Sequence, residues 1–181
     1  MNKFVTRRNF VKTGLASAAV LPFLKSMPAL ASKSNTLVVV TGQTINSLDL
    51  HRKGTNRPSY QVAVNCYDRL LSFGTKKAKG GGFSYDYNKV EPELAESWLV
   101  SDDGLLITFK IKKKATFWDG SKVTANDVKW SFDRAVSVGG FPSVQMKAGG
   151  LVRPDQFTAI NDETFTIKLD KPSKLTIPDL A

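Results

Sequence analysis

Few side chains in this sequence could do chemistry, and their spacing limits what that chemistry could be. His51 is the only histidine, so a histidine-built metal cluster or a complete Ser-His-Asp triad would have to form around it, beside Arg52 and Lys53. Cys66 is the only cysteine, which rules out an intrachain disulfide and any CxxC redox pair. Its place two residues after Val64 in an apolar stretch predicts a buried, inert thiol. Asp102-Asp103-Gly104 pairs two carboxylates, but a calcium loop needs spaced oxygen ligands, and Asp and Gly here are explained by a turn. Gly80-Gly81-Gly82 precedes no helix start and no Lys-Ser/Thr, so it is not a phosphate loop, and no dinucleotide fingerprint occurs. No catalytic residue, metal site or cofactor is therefore expected.

Charge points the same way. The chain carries +10, but residues 1–31 hold five basic and no acidic residues, so the rest carries +5. The runs Lys76, Lys77, Lys79 and Lys112, Lys113, Lys114 read as solvated strand ends, and no nucleic-acid partner is expected.

The first 31 residues read as an address. Lys3, Arg7, Arg8 and Lys12 form a basic stretch, Gly14 to Leu24 is apolar apart from Ser17 and Pro22, and Ala29-Leu30-Ala31 supplies a small-x-small cleavage site at Ala29 and Ala31. The apolar run is too short to span a bilayer. Arg7 and Arg8 followed by Phe10 and Lys12 resemble the twin-arginine signal, which implies the twin-arginine translocase as a partner and export in the folded state. No cysteine lies near the cleavage site, so the expected product is periplasmic, soluble and not lipid-anchored.

The elements that would position any site follow from periodicity. Thr36 to Thr41 reads as a strand, Tyr60 to Leu71 as an amphipathic helix opened by Pro58, and Gly74 to Asn88 as a surface loop. Asp102-Asp103-Gly104 reads as the turn between Ala95–Val100 and an alternating strand that places Ile107, Phe109 and Ile111 on one face. Thr124 caps a helix bearing Val128, Phe132, Ala135 and Val136, with Asp127 at its third position and Gly139-Gly140 at its end. A last strand places Phe165, Ile167 and Leu169 on one face before Lys171-Pro172.

Several linked motifs now carry a resemblance. Glu91-Pro92-Glu93-Leu94-Ala95-Glu96-Ser97-Trp98, Ser101-Asp102-Asp103-Gly104, Phe117-Trp118-Asp119-Gly120, Val123-Thr124-Ala125-Asn126-Asp127-Val128 and Ser131-Phe132-Asp133-Arg134 resemble the signature stretch of the family 5 extracellular solute-binding proteins. Ser47-Leu48-Asp49 is similar to the family's early turn, with Leu50 in place of the usual proline, and Tyr67-Asp68-Arg69-Leu70-Leu71 is similar to its first helix end.

The resemblance implies an α/β chain forming the N-terminal part of a type II (class C) periplasmic-binding-protein fold, with mixed, mostly antiparallel sheets, flanking helices and the second lobe absent. With residues 1–31 set apart as the twin-arginine signal, it further implies the start of lobe I over 32–75, an accessory subdomain over 76–168 and a truncated return to lobe I over 169–181. The implied function is to bind a peptide or similar small solute as a monomer and deliver it to the membrane permease of an ABC importer. Ligand contacts implied on the first-lobe side are Gln43, Thr44, Thr55 and Tyr60, while Trp98, Trp118 and Trp130 are expected in the core. An exported enzyme or cofactor protein using the twin-arginine route is the alternative.

Overall fold

Alternating apolar residues build the central sheet. The structure, a computed structural model, describes residues 38 and 40–181. Its elements all lie within the unit Thr41–Ala181. Strands β3 (Ala95–Val100), β4 (Leu106–Ile111), β5 (Phe157–Asn161) and β6 (Thr164–Lys168) form an antiparallel sheet in the order β3-β4-β6-β5. Ile107 pairs with Ile167 and Phe109 with Phe165, so both apolar ladders face one side. All four side chains are buried, as is Ile111.

Helix α2 (Ala125–Val138) covers that face. It starts where the Asp127 carboxylate accepts from the Thr124 amide (2.8 Å) and hydroxyl (2.7 Å), and it stops at Gly139, whose φ of 73° is cheap only for glycine. Phe132 drops from the helix between Phe157 and Phe165, with both ring centroids 5.2 Å away, and Phe165 stacks on toward Phe109 at 6.1 Å. This aromatic cluster is the centre of the core.

The other elements frame this layer. They are α1 (Arg57–Ala63), the hairpin β1 (Leu71–Lys77) and β2 (Phe83–Pro92), α3 (Phe141–Ala148), a 3-10 turn at Pro154–Gln156 and α4 (Thr176–Asp179). Gln156 locks the 3-10 turn to β6. It is 2% exposed, its carbonyl accepts from the Val152 and Arg153 amides, and its amide donates to the Gly150 and Lys168 carbonyls. Gln156→Leu keeps the volume but leaves these groups unpaired, so chemical denaturation should show a loss of about 3 kcal/mol. A wild-type midpoint would contradict this role.

Four expectations are corrected. The helix expected over Tyr60 to Leu71 ends at Ala63, and Leu71 already begins β1, because buried Leu70 and Leu71 belong to the sheet side of the core. The loop expected over Gly74 to Asn88 is mostly the β1–β2 hairpin, whose alternating Phe83, Tyr85 and Tyr87 are exposed and follow a Lys- and Gly-rich stretch that reads as a loop. Trp98 packs against the core, but Trp118 is 99% and Trp130 63% exposed. Cys66 is exposed. The strand expected over Thr36 to Thr41 falls largely outside the described residues, and Val38, Val40 and Thr41 form none. The export signal at Arg7, Arg8, Phe10 and Lys12 and the cleavage site at Ala29 and Ala31 also lie outside the described residues.

Candidate functional site

The segment from Thr41 to Tyr60 has almost no regular structure, so side chains must satisfy its backbone. Asn46 and Ser59 do most of this. The Asn46 amide donates to the Gly54 carbonyl (2.9 Å), its carbonyl accepts from the Asn56 amide (3.1 Å), and its own N–H donates to the fully buried Ser59 hydroxyl (3.2 Å). Asn56 caps α1 by accepting from the Ser59 N–H (3.2 Å) and ties down the upstream chain by donating to the Thr44 carbonyl (2.8 Å).

A second anchor comes from α2. Arg134 donates two parallel bonds to Asp49, each 2.7 Å, and its guanidinium lies 5.8 Å from the Trp130 ring centre. The Asp49 carboxylate also accepts from the His51 N–H at 3.1 Å, and the arginine holds it below the usual carboxylate range. Gly139 and Gly140 complete the seat. A side chain at Gly140 would fall within 3.0 Å of the His51 and Arg52 carbonyl oxygens, so only glycine lets the loop lie against the start of α3.

His51 is half-buried in this seat, and burial, helped by Arg134 and opposed by Asp49, lowers its pKa from 6.5. The sign follows directly. The unfolded chain takes up a proton below pH 6.5 that the folded loop resists, so this contribution is present above 6.5 and is lost as pH falls. The drop in Tm from about pH 8 to about pH 5.5, above the range of ordinary carboxylates, should be smaller for His51→Gln than for wild type. Equal drops would contradict the assignment.

The four expected contact residues separate into two pairs. The Thr55 hydroxyl donates to the Asp49 carbonyl (2.9 Å) and Tyr60 OH to the Leu50 carbonyl (3.1 Å), so both hold the loop together. Burial and the nearby Asp49 charge raise the Tyr60 pKa, keeping that donor protonated. Gln43 and Thr44 are exposed and line a shallow, open concavity with Thr41, Gly42 and Ile45. The N–H groups of Gly42 to Ile45 donate to no other described residue. Sequence reading singled out none of Asn46, Asn56, Ser59 and Arg134 for this site, although Asn56 and Ser59 lie in the His51 to Tyr60 stretch that the resemblance assigns to it, and of the Asp49–Arg134 pair it placed each partner only within a separate family-like motif. Among the described residues no cluster of three His, Cys, Asp or Glu could hold a metal, and no helix is long and apolar enough to cross a membrane.

This architecture is that of the type II periplasmic binding proteins, in mixed antiparallel sheets with helices. It is similar to the Escherichia coli murein tripeptide binding protein MppA, with a TM-score of 0.54 and 27% identity over 74% of this chain and 26% of that one. It is also similar in fold to an oligopeptide ABC transporter substrate-binding domain from Bacillus anthracis, with a TM-score of 0.61 and 21% identity over 78% of this chain and 28% of that one. Residues 89–181 match the bacterial extracellular solute-binding proteins, family 5 Middle, and the chain belongs to that family.

Among curated relatives it is 32% identical to the glutathione-binding protein GsiB of Salmonella typhimurium, over 100% of this chain and 31% of the relative. It is 39% identical to the probable D,D-dipeptide-binding periplasmic protein DdpA of Escherichia coli, over 46% of this chain and 15% of the relative. The chain therefore spans about a third or less of the length of these relatives. Members of the family are transport binding proteins and not enzymes, so the alternative of an exported enzyme falls.

Proposed function

We propose that this chain supplies the first-lobe side of the substrate site in a periplasmic binding protein that delivers a short peptide to an ABC permease. The observation that carries the reading is the full-chain match to a glutathione-binding protein, beside likenesses to proteins named for D,D-dipeptide and murein tripeptide. The local geometry supports it. The Gly42–Ile45 amides and the exposed Gln43 and Thr44 side chains offer donors and acceptors to a peptide backbone. Thr55 and Tyr60 act one step behind them, fixing the loop.

The coverage of the relatives supports a second lobe beyond this sequence, with residues 32–75 starting lobe I, 76–168 forming its accessory subdomain and 169–181 returning to it. Residues 1–31 act as a twin-arginine signal in this reading, and the product is a soluble periplasmic monomer without a lipid anchor. Intact mass and N-terminal sequencing of the polypeptide released by osmotic shock test the assignment. The expected product begins at Ser32 and is several times heavier than this chain. A product of residues 32–181 alone would remove the second face of the site and overturn the reading.

In that longer polypeptide, a Gln43→Ala/Thr44→Ala variant should bind a short peptide about tenfold more weakly while melting at the wild-type temperature, as expected for the loss of about one net hydrogen bond or two. Wild-type affinity would remove these two residues from the site.

A further inference from the structure

The β1–β2 hairpin carries an exposed aromatic face that the peptide-binding reading does not use. In the register Lys77 lies opposite Phe83 and Thr75 opposite Tyr85, so these side chains share one face. Tyr87 follows at the next alternate position and meets Phe73 edge-to-face, with ring centroids 5.0 Å apart. Phe83 is 74%, Tyr85 50% and Tyr87 70% exposed. Two-stranded hairpins are marginal in water, and a contiguous aromatic surface of this kind is costly unless something covers it.

Charge indicates what that cover is. On the opposite face Lys76 pairs with Asp86 at 3.7 Å, and near the base Lys89 pairs with Glu91 at 2.5 Å. Lys77, on the aromatic face, and Lys79, in the tip, make no ion pair with a described residue. A Cβ added to Gly80, Gly81 or Gly82 at the tip would meet no neighbour within 4 Å, so the end of the hairpin is narrow and open. Ammonium groups without an ion pair among the described residues, beside tyrosine and phenylalanine rings, match an interface where apolar chains meet anionic headgroups: the rings enter the boundary, the tyrosine hydroxyls stay wet and the lysines meet the phosphates.

We propose that this face is a peripheral docking surface for an anionic lipid bilayer. It would hold the protein against the membrane by reversible contact, independently of solute. The binding is electrostatic in large part and falls with salt.

The test places an environment-sensitive fluorophore on the aromatic face at Thr75→Cys, or on the opposite face at Ser84→Cys, in the full chain carrying Cys66→Ser. Because the two probes differ only in face, membrane contacts elsewhere in the chain affect both equally. With phosphatidylglycerol vesicles the Thr75 probe should shift to the blue and the Ser84 probe should not. The shift should vanish in about 1 M salt, where the Debye length is about 3 Å, and should not occur with phosphatidylcholine vesicles. Lys77→Gln/Lys79→Gln should weaken partition about thirtyfold. No shift, equal shifts on both faces, or equal shifts with neutral vesicles would overturn the proposal. A response to an acidic polypeptide and not to vesicles would overturn it in favour of an acidic protein partner.

Discussion

Phe165→Ala is expected to cost about 4 kcal/mol, the largest loss from any single substitution in the sheet layer. Phe165 has no solvent exposure, and its ring meets Phe109, Phe132 and Phe157 at centroid separations of 6.1, 5.2 and 6.3 Å. Truncation removes the ring and leaves a cavity between the helix and the sheet that neighbours fill only in part. Typical domains are stable by about 5–15 kcal/mol, so such a loss takes away a large share of the total. Urea unfolding gives the value, and a change under about 1 kcal/mol would mean that the cluster is not the keystone. The effect reaches the candidate site because α2 carries both Phe132, which sits on Phe165, and Arg134, which holds Asp49.

Gly140→Ala tests the seat of the loop. The added Cβ would lie 2.9 Å from the Arg52 carbonyl oxygen and closer still to that of His51, and both are backbone atoms that no rotamer change can move aside. The glycine has φ −76° and ψ −171°, an ordinary extended conformation, so the cost is one of contact and not of dihedral strain. Overpacking of this kind costs about 3 kcal/mol when the structure must shift to relieve it. The shift should appear in the loop, where Arg52 and Lys53 are exposed. Trypsin should therefore cut after these residues faster in the variant than in wild type, together with a lower Tm. Unchanged cleavage and Tm would show that the loop does not rest on Gly140.

Much of the sheet layer was legible because one face is wet and the other dry. Ile107, Phe109 and Ile111 alternate with Thr108 and Lys110, and the Thr124 to Asp127 spacing marks a helix start that the structure builds with the expected carboxylate contacts. The hairpin was not legible, because the alternation of Phe83, Tyr85 and Tyr87 with Ser84 and Asp86 follows the Lys- and Gly-rich stretch from Lys76 to Gly82 and marks an exposed face instead of a buried one. Trp118 and Trp130 misled for the reverse reason: large rings usually seek the core, yet Trp130 lies outward beside Arg134 and Trp118 stands in solvent. Cys66 follows the end of α1, where the chain turns outward.

The candidate site divides in the same way. Its polar loop could be placed by resemblance to a family, but what holds the loop could not be seen along the chain. Asp49 and Arg134 are 85 residues apart, and nothing in either local pattern announces the pairing. Thr55 and Tyr60 are expected to contact solute, and in the structure their hydroxyls donate to the carbonyls of Asp49 and Leu50. Polar residues in an irregular segment have two tasks, to satisfy the backbone and to meet a ligand, and sequence alone does not divide them.

Whether the loop forms one side of a peptide site is decided by isothermal titration of the native polypeptide with glutathione and a set of dipeptides and tripeptides, beside the same titration of this 181-residue chain. Saturable binding of at least one short peptide by the native polypeptide is expected. Binding by the shorter chain should be much weaker, since one face of a two-sided site buries only part of a ligand. No binding of any short peptide by the native polypeptide, or equal affinity of the two forms, would contradict the proposed function.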